Sequence, residues 1–273
     1  MPIYKTNSFI RGFIFEADTI FLESKRFSFM KHFFTLFSQC VHKLLNHAST
    51  YFIAACFLTL MGFIFAYSLF LNAQEESTSN CLQNLFEIFW LPTLCFIPLI
   101  TMRTLSEEQR SGMLENLLVT PVSTFEIVLS KCLAVCFFYL LLWGLCFCFP
   151  FIAQKYSQGE ILSPLILQGG AIFTLASSFL FISLGIFASS LTRTQTLAGF
   201  LAFSFLFLML VGTKTLCDAH FISYKYSVYI NFFEFLDQLC SGLLDLRPLL
   251  FCLCGGFLFL ILTTTVLESK ILR

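Results

Sequence analysis

The sequence predicts an all-α polytopic membrane protein with about six transmembrane helices, and three observations predict it. Of 273 residues, 58% are apolar and only 12% charged, with mean hydropathy +0.84; a soluble domain runs nearer ~45–50% and ~25%. The apolar residues gather into runs of roughly 20, which at ~1.5 Å per residue cross a ~30 Å hydrocarbon layer. These runs do not alternate: 137–143 reads FFYLLLW. A barrel of ~10-residue alternating strands is therefore excluded, and backbone groups in lipid must be satisfied inside helices. The same composition excludes a disordered chain. Sixteen basic residues against sixteen acidic ones leave no net charge, so no global basic surface marks a nucleic-acid partner.

Residues 1–29 lack the apolar core and small-residue cleavage site of a signal peptide. They read as an extension or a mis-assigned start, because Met30-Lys31 opens a cleaner amphipathic stretch. Over 30–47, Phe33, Phe34, Phe37, Val41, Leu44 and Leu45 fall on one side, with Lys31, Gln39, Lys43 and Asn46 opposite or flanking. That pattern predicts an N-terminal helix lying in the cytoplasmic interface.

The first span, 50–71, carries no charge, and Phe, Ile and Leu supply 11 of its residues. At about −0.3 to −0.6 kcal/mol each, these favour insertion by roughly 3–7 kcal/mol. The same test places spans at 85–102, 131–153, 164–191, 195–213 and 248–267, all within a membrane-embedded region 30–273. With the N-terminus inside, 12 of the 16 Lys and Arg residues lie on the inner side, which predicts cytoplasmic termini. Arg103 and Lys131 sit at cytoplasmic span ends, where they can snorkel. Between the last two spans, Phe232, Phe233, Phe235, Leu236, Leu239, Cys240, Leu243 and Leu244 form an apolar stripe. It predicts an extracytoplasmic amphipathic helix on or dipping into the outer leaflet. Of the 12 cysteines, Cys81, Cys217 and Cys240 fall in water-facing loops, the rest mainly in apolar runs.

Charge is absent from the middle of every span, which argues against ion-coupled carriers and voltage sensors. No Gly is followed by Lys, so the chain has no phosphate-cradling P-loop. No nucleophile elbow or H-E-x-x-H is present, and Cys40, His42 and His47 lack zinc-site spacing. No catalytic, metal or cofactor site is expected. Pro92 and Pro98 should bend the second span. Small residues in the fourth span (Ala176, Ser177, Ser183, Gly185, Ala188, Ser189) and Ala198 and Ala202 in the fifth suit close helix approach, within the chain or between chains.

The longest internal cytoplasmic connection, 103–130, carries the most local information. Glu107, Glu108 and Arg110 precede Gly112, and Met113, Leu114, Leu117 and Leu118 then form a helical stripe. Thr120-Pro121 halts it. Ser123 with Glu126 fits the capping box that opens the third membrane helix. The result is a short helix on the membrane surface followed by a capped elbow.

The run IPLITMRTLSEEQRSGMLENLLVTPVSTFEIVLSK resembles the second-span and coupling-helix signature of type 2 (ABC-2) ABC transporter permeases, in particular the gliding-motility and nitrous-oxide-maturation permease group. The residues that match are Pro98, Thr101, Met102, Arg103, Glu107, Glu108, Gly112, Glu115, Leu117, Leu118, Pro121, Val122, Glu126, Ile127, Val128 and Lys131. Residues 184–195 and 241–247 also resemble the family, while Met113, Thr124 and Ser130 depart from it. The resemblance implies a permease subunit of an exporter in a bacterial inner membrane. A separate cytosolic ATP-binding subunit, which would hold the ATP and Mg, would receive the coupling helix. Glu107, Glu108, Arg110, Gly112, Glu115 and Pro121 would then form or shape the docking surface, and the Pro92–Pro98 span would face the pathway. Six spans are half of what such transporters assemble, so a second copy or related permease is implied, along with membrane lipid. The rival readings are a scaffold of an envelope or motility complex and a membrane-embedded lipid-modifying enzyme.

Overall fold

The computed structural model describes residues 33–75, 86, 88–112, 123–156, 164–218, 232–234 and 246–271. The extension 1–29, the apolar stripe at 113–118 with Glu115 and Pro121, and the outer stripe beyond residue 234 lie outside the described residues. So do Cys81 and Cys240, and the side chain of Cys217. Among the described residues every regular element is helical.

Helix α1 covers 33–46 and passes through His47 into α2, Ala48–Glu75. There follow α3 (Trp90–Thr104), α4 (Ser106–Arg110), α5 (Thr124–Cys146) and α6 (Cys148–Tyr156). Next come α7 (Pro164–Leu191), α8 (Gln195–Phe207), a π-helical turn at Leu208–Gly212, α9 (Thr213–Asp218) and α10 (Leu246–Ile271).

Five stretches are long and apolar enough to cross a membrane: Ala48–Phe70, Thr124–Lys155, Leu167–Leu191, Gln195–Thr215 and Leu246–Lys270. The remaining predicted span corresponds to α3. Its 15 residues reach only ~22 Å, although Phe86 and Ile88 just ahead of it are also helical. The predicted fifth span is interrupted by the π turn. Just after that turn the Thr213 hydroxyl donates to Met209 O at 2.7 Å and Leu210 O at 3.1 Å.

Helix α7 is the centre of the bundle: 72% of its span is buried, against 22–28% for α2, α8 and α10. It packs on α10, α8, α3 and α5. Its small residues serve this packing inside the chain: Ser177, Ser183, Ala188 and Ser189 are fully buried. A Cβ at Gly185 would overlap the Thr101 hydroxyl of α3, so the two helices meet there backbone to side chain. Ala198 and Ala202 are likewise buried, on α8. Several buried hydroxyls are satisfied within their own helices, as with Ser68 to Phe65 O at 2.8 Å and Ser183 to Leu180 O at 2.8 Å.

Between α2, α3 and α5 lies an aromatic core. Phe57 stands 4.7 Å from Phe96 and 6.0 Å from Tyr139 by ring centroids. The Tyr139 phenol shares a 2.9 Å hydrogen bond with Thr93 Oγ1. At the far end Phe232 is buried against Phe173 (4.9 Å) and Phe181 (5.3 Å). The predicted outer stripe thus places at least this ring inside the bundle rather than on lipid. Aromatic rings with matching surfaces nearby lose less by packing there than by lying alone at the interface.

Candidate functional site: a polar hub at one end of the bundle

Helix α4 is five residues long and is held from all sides. Leu105 separates it from α3, and no side chain of its own caps its start. Instead Ser189 Oγ, in the last turn of α7, accepts from Leu105 N at 3.3 Å and Ser106 N at 3.1 Å. Two orphan donors of a helix start are thereby satisfied from another helix. The far end closes with Ser111 N donating to Glu107 O at 3.0 Å, and Gly112 then turns left-handed at φ +69°. A side chain there would cost ~1–2 kcal/mol.

Charge and amide groups complete the hub. Glu108 accepts from Lys131 Nζ of α5 and, at 3.3 Å, from Lys43 Nζ of α1. The Lys131 side chain is only 5% exposed, and its ammonium also donates to Thr104 O at 2.9 Å. An ammonium out of water is tolerable only when paired and hydrogen-bonded in this way. Lys43 is 41% exposed, so its pair with Glu108 contributes ~0–1 kcal/mol. Gln109 Nε2 donates to Ser190 O of α7 at 3.1 Å, while Lys270 Nζ of α10 donates to Gln109 Oε1 at 3.1 Å and to Ser190 O at 2.6 Å. Thr124 Oγ1, one residue into α5, donates to Glu268 Oε1 of α10 at 2.7 Å. A stretch of five residues is therefore tied to α1, α5, α7 and α10.

The residues singled out in the sequence divide among distinct places. Glu107 is half-buried, and Arg110 is exposed at the end of α4. Glu108 faces inward to the two lysines. Glu115 and Pro121 lie outside the described residues. Ser123 caps α5: its hydroxyl accepts from Glu126 N at 3.3 Å and donates to Glu126 Oε1 at 2.9 Å. The Glu126 carboxylate thus takes the serine hydroxyl. Pro98 is buried inside α3 and leaves the Leu94 carbonyl without its usual donor. Pro92 sits in the first turn, where the missing N–H costs nothing, and borders an apolar groove between α2 and α3.

Lys131 differs from the snorkelling expected of it, because Glu108 and Thr104 hold its ammonium inside the hub. Sequence reasoning missed Lys43, Gln109, Ser189, Ser190 and Lys270 as parts of one site. Pairs 23 to 161 residues apart leave no local pattern. The one available signal was that basic residues end α10 and begin the stretch before α2.

A family model described as ABC-2 family transporter protein matches residues 70–265, well over half the chain. The chain belongs to the ABC-2 transporter family. No curated protein matches it. An ABC-2 protein of this kind is the integral membrane permease of an ABC transporter. The matched stretch includes α3, α4 and α5 together with Ser189 and Ser190, so most of the hub lies within the ABC-2 region. Lys43, Glu268 and Lys270 lie outside it.

Proposed function

We propose that this permease is the membrane half of an exporter driven by a separate cytosolic ATP-binding subunit, and that loop 103–130 receives the drive. The observation that carries this reading is the hub. A push on α4 at Glu107 or Arg110 reaches α5, α7 and α10 through Glu108, Gln109 and their hydrogen bonds. Glu108 shapes the docking surface from behind, while Glu107, Arg110, Glu115 and Pro121 offer contacts to the partner. Mg-ATP belongs to that partner.

The α4 end is the cytoplasmic one. Lys43, Arg103, Arg110, Lys131, Arg193 and Lys270 gather there, against Lys155, Lys214 and Arg247 among the described residues at the other end. A bacterial inner membrane with both termini inside fits this distribution. The likeness of 97–131 to the gliding-motility and nitrous-oxide-maturation group supports that subgroup. The low burial of α2, α8 and α10 leaves room for a second copy or a related permease.

Affinity purification from membranes, with identification of the co-purifying P-loop ATPase, tests the reading. Wild-type permease should bring the ATPase down, and the pair Glu107→Lys with Arg110→Glu should lose it at unchanged thermal stability. Equal recovery with both forms would contradict the docking surface.

A further inference from the structure

Beneath α1 lies a small, half-open cavity. Lys43, His47 and Arg103 line it together with Ile53, Leu99 and Ile100. Three permanent cations (Lys43, Arg103, Lys131) face Glu107 and Glu108 across it. Glu108 is shared by the two lysines. Arg103 has no carboxylate partner among the described residues, Glu107 included. One arm of its guanidinium donates to Ser49 Oγ, and its Nε is buried with no hydrogen-bond partner. A planar cation held only by a hydroxyl and matched to no carboxylate is suited to a phosphate oxygen pair.

The depth of the site matters as much as its charge. Arg103 lies in the last turn of α3, beside Ser49 and Thr50 at the start of the first membrane-crossing stretch. That is the level of lipid headgroups. Ile53 and Leu99 belong also to a second, wholly apolar groove that runs between α2 and α3 past Cys56 and Cys95. The cavity that holds the cations and the apolar groove therefore share Ile53 and Leu99. A free anion would use only the first. We propose that this is a built site for one anionic phospholipid, with its phosphodiester on Arg103 and one acyl chain along the α2–α3 groove. The excess of cation over carboxylate selects a net negative headgroup.

Binding requires no ATP-binding subunit, so the outcome is independent of the proposed drive. Full-length permease, delipidated in detergent, is titrated with phosphatidylglycerol, phosphatidylcholine or inorganic phosphate, and read by native mass spectrometry and thermal unfolding. Phosphatidylglycerol should bind once per chain and raise the melting temperature, phosphatidylcholine more weakly. Arg103→Gln should weaken phosphatidylglycerol at least about tenfold, and Arg103→Lys should restore part of it. Ile53→Trp, which blocks the passage without touching charge, should weaken it too, and carries the test if Arg103→Gln fails to fold. Equal stabilisation by inorganic phosphate would replace the lipid with a free anion. Unchanged phosphatidylglycerol binding in Arg103→Gln and Ile53→Trp, or equal binding of phosphatidylcholine, would overturn the proposal.

Discussion

Glu108 faces two lysines of unequal standing, and the inequality is measurable. Glu108→Gln leaves the nearly enclosed Lys131 ammonium without its counter-charge and should destabilise the protein by about 1–3 kcal/mol. Lys43→Ala removes only a half-exposed partner and should cost less than about 1 kcal/mol. Thermal unfolding of the two variants in one detergent checks the order; a larger loss in Lys43→Ala would contradict the arrangement. Cys40, on α1 over the same cluster, offers a second test. Burial pushes its thiol up, Lys131 and Lys43 pull it down, and Glu108 adds a smaller rise. The net direction is upward, so thiolate is scarce at neutral pH. Alkylation of Cys40 by iodoacetamide, followed by peptide mass spectrometry, should be slow near pH 7.5 and still climbing above pH 9. A plateau below pH 8 would contradict this.

At the scale of elements, α7 decides the packing, and it meets α3 closely at Gly185. Gly185→Ala would drive a methyl into Thr101, at a cost of about 1–3 kcal/mol. Removing the obstacle in the double variant Gly185→Ala, Thr101→Ala should recover most of that loss, which a double-mutant cycle in thermal unfolding would show as strong coupling. Additive losses would mean that the helices do not meet there.

This contact also shows what the sequence could and could not disclose. The membrane-crossing stretches were legible because uninterrupted apolarity over ~20 residues has few other outcomes. The breaks at Leu191 and Gln195 and the serine at the head of α5 followed from turn and cap chemistry. Which face of each helix looks inward was not legible. Phe and Leu occur all round α2, α5 and α10, because lipid and protein interior reward the same side chains. Polar pairings were hidden by distance along the chain. Glu108 reads as a surface acid of an acidic cluster until Lys131, 23 residues on, is brought beneath it. The π turn at Leu208–Gly212 has no sequence signature.

For the molecule as a whole, membership of the ABC-2 family fixes a membrane permease and leaves its engine elsewhere. In the proposed coupling, the hub would be the ATP-binding partner's point of purchase. A short helix capped by Ser189, paired to Lys131 and bridged to Lys270 couples one loop to most of the bundle. The same hub stands over the cavity at Arg103, so a lipid held there would sit beside the moving part. The most direct measurement is ATP turnover by the co-purified ATP-binding subunit, with and without the permease in the same liposomes. Turnover should rise several-fold with wild-type permease and stay near its basal rate with Glu107→Lys, Arg110→Glu. Cargo flux or ATP hydrolysis by the permease alone, or equal stimulation by the variant, would contradict the account.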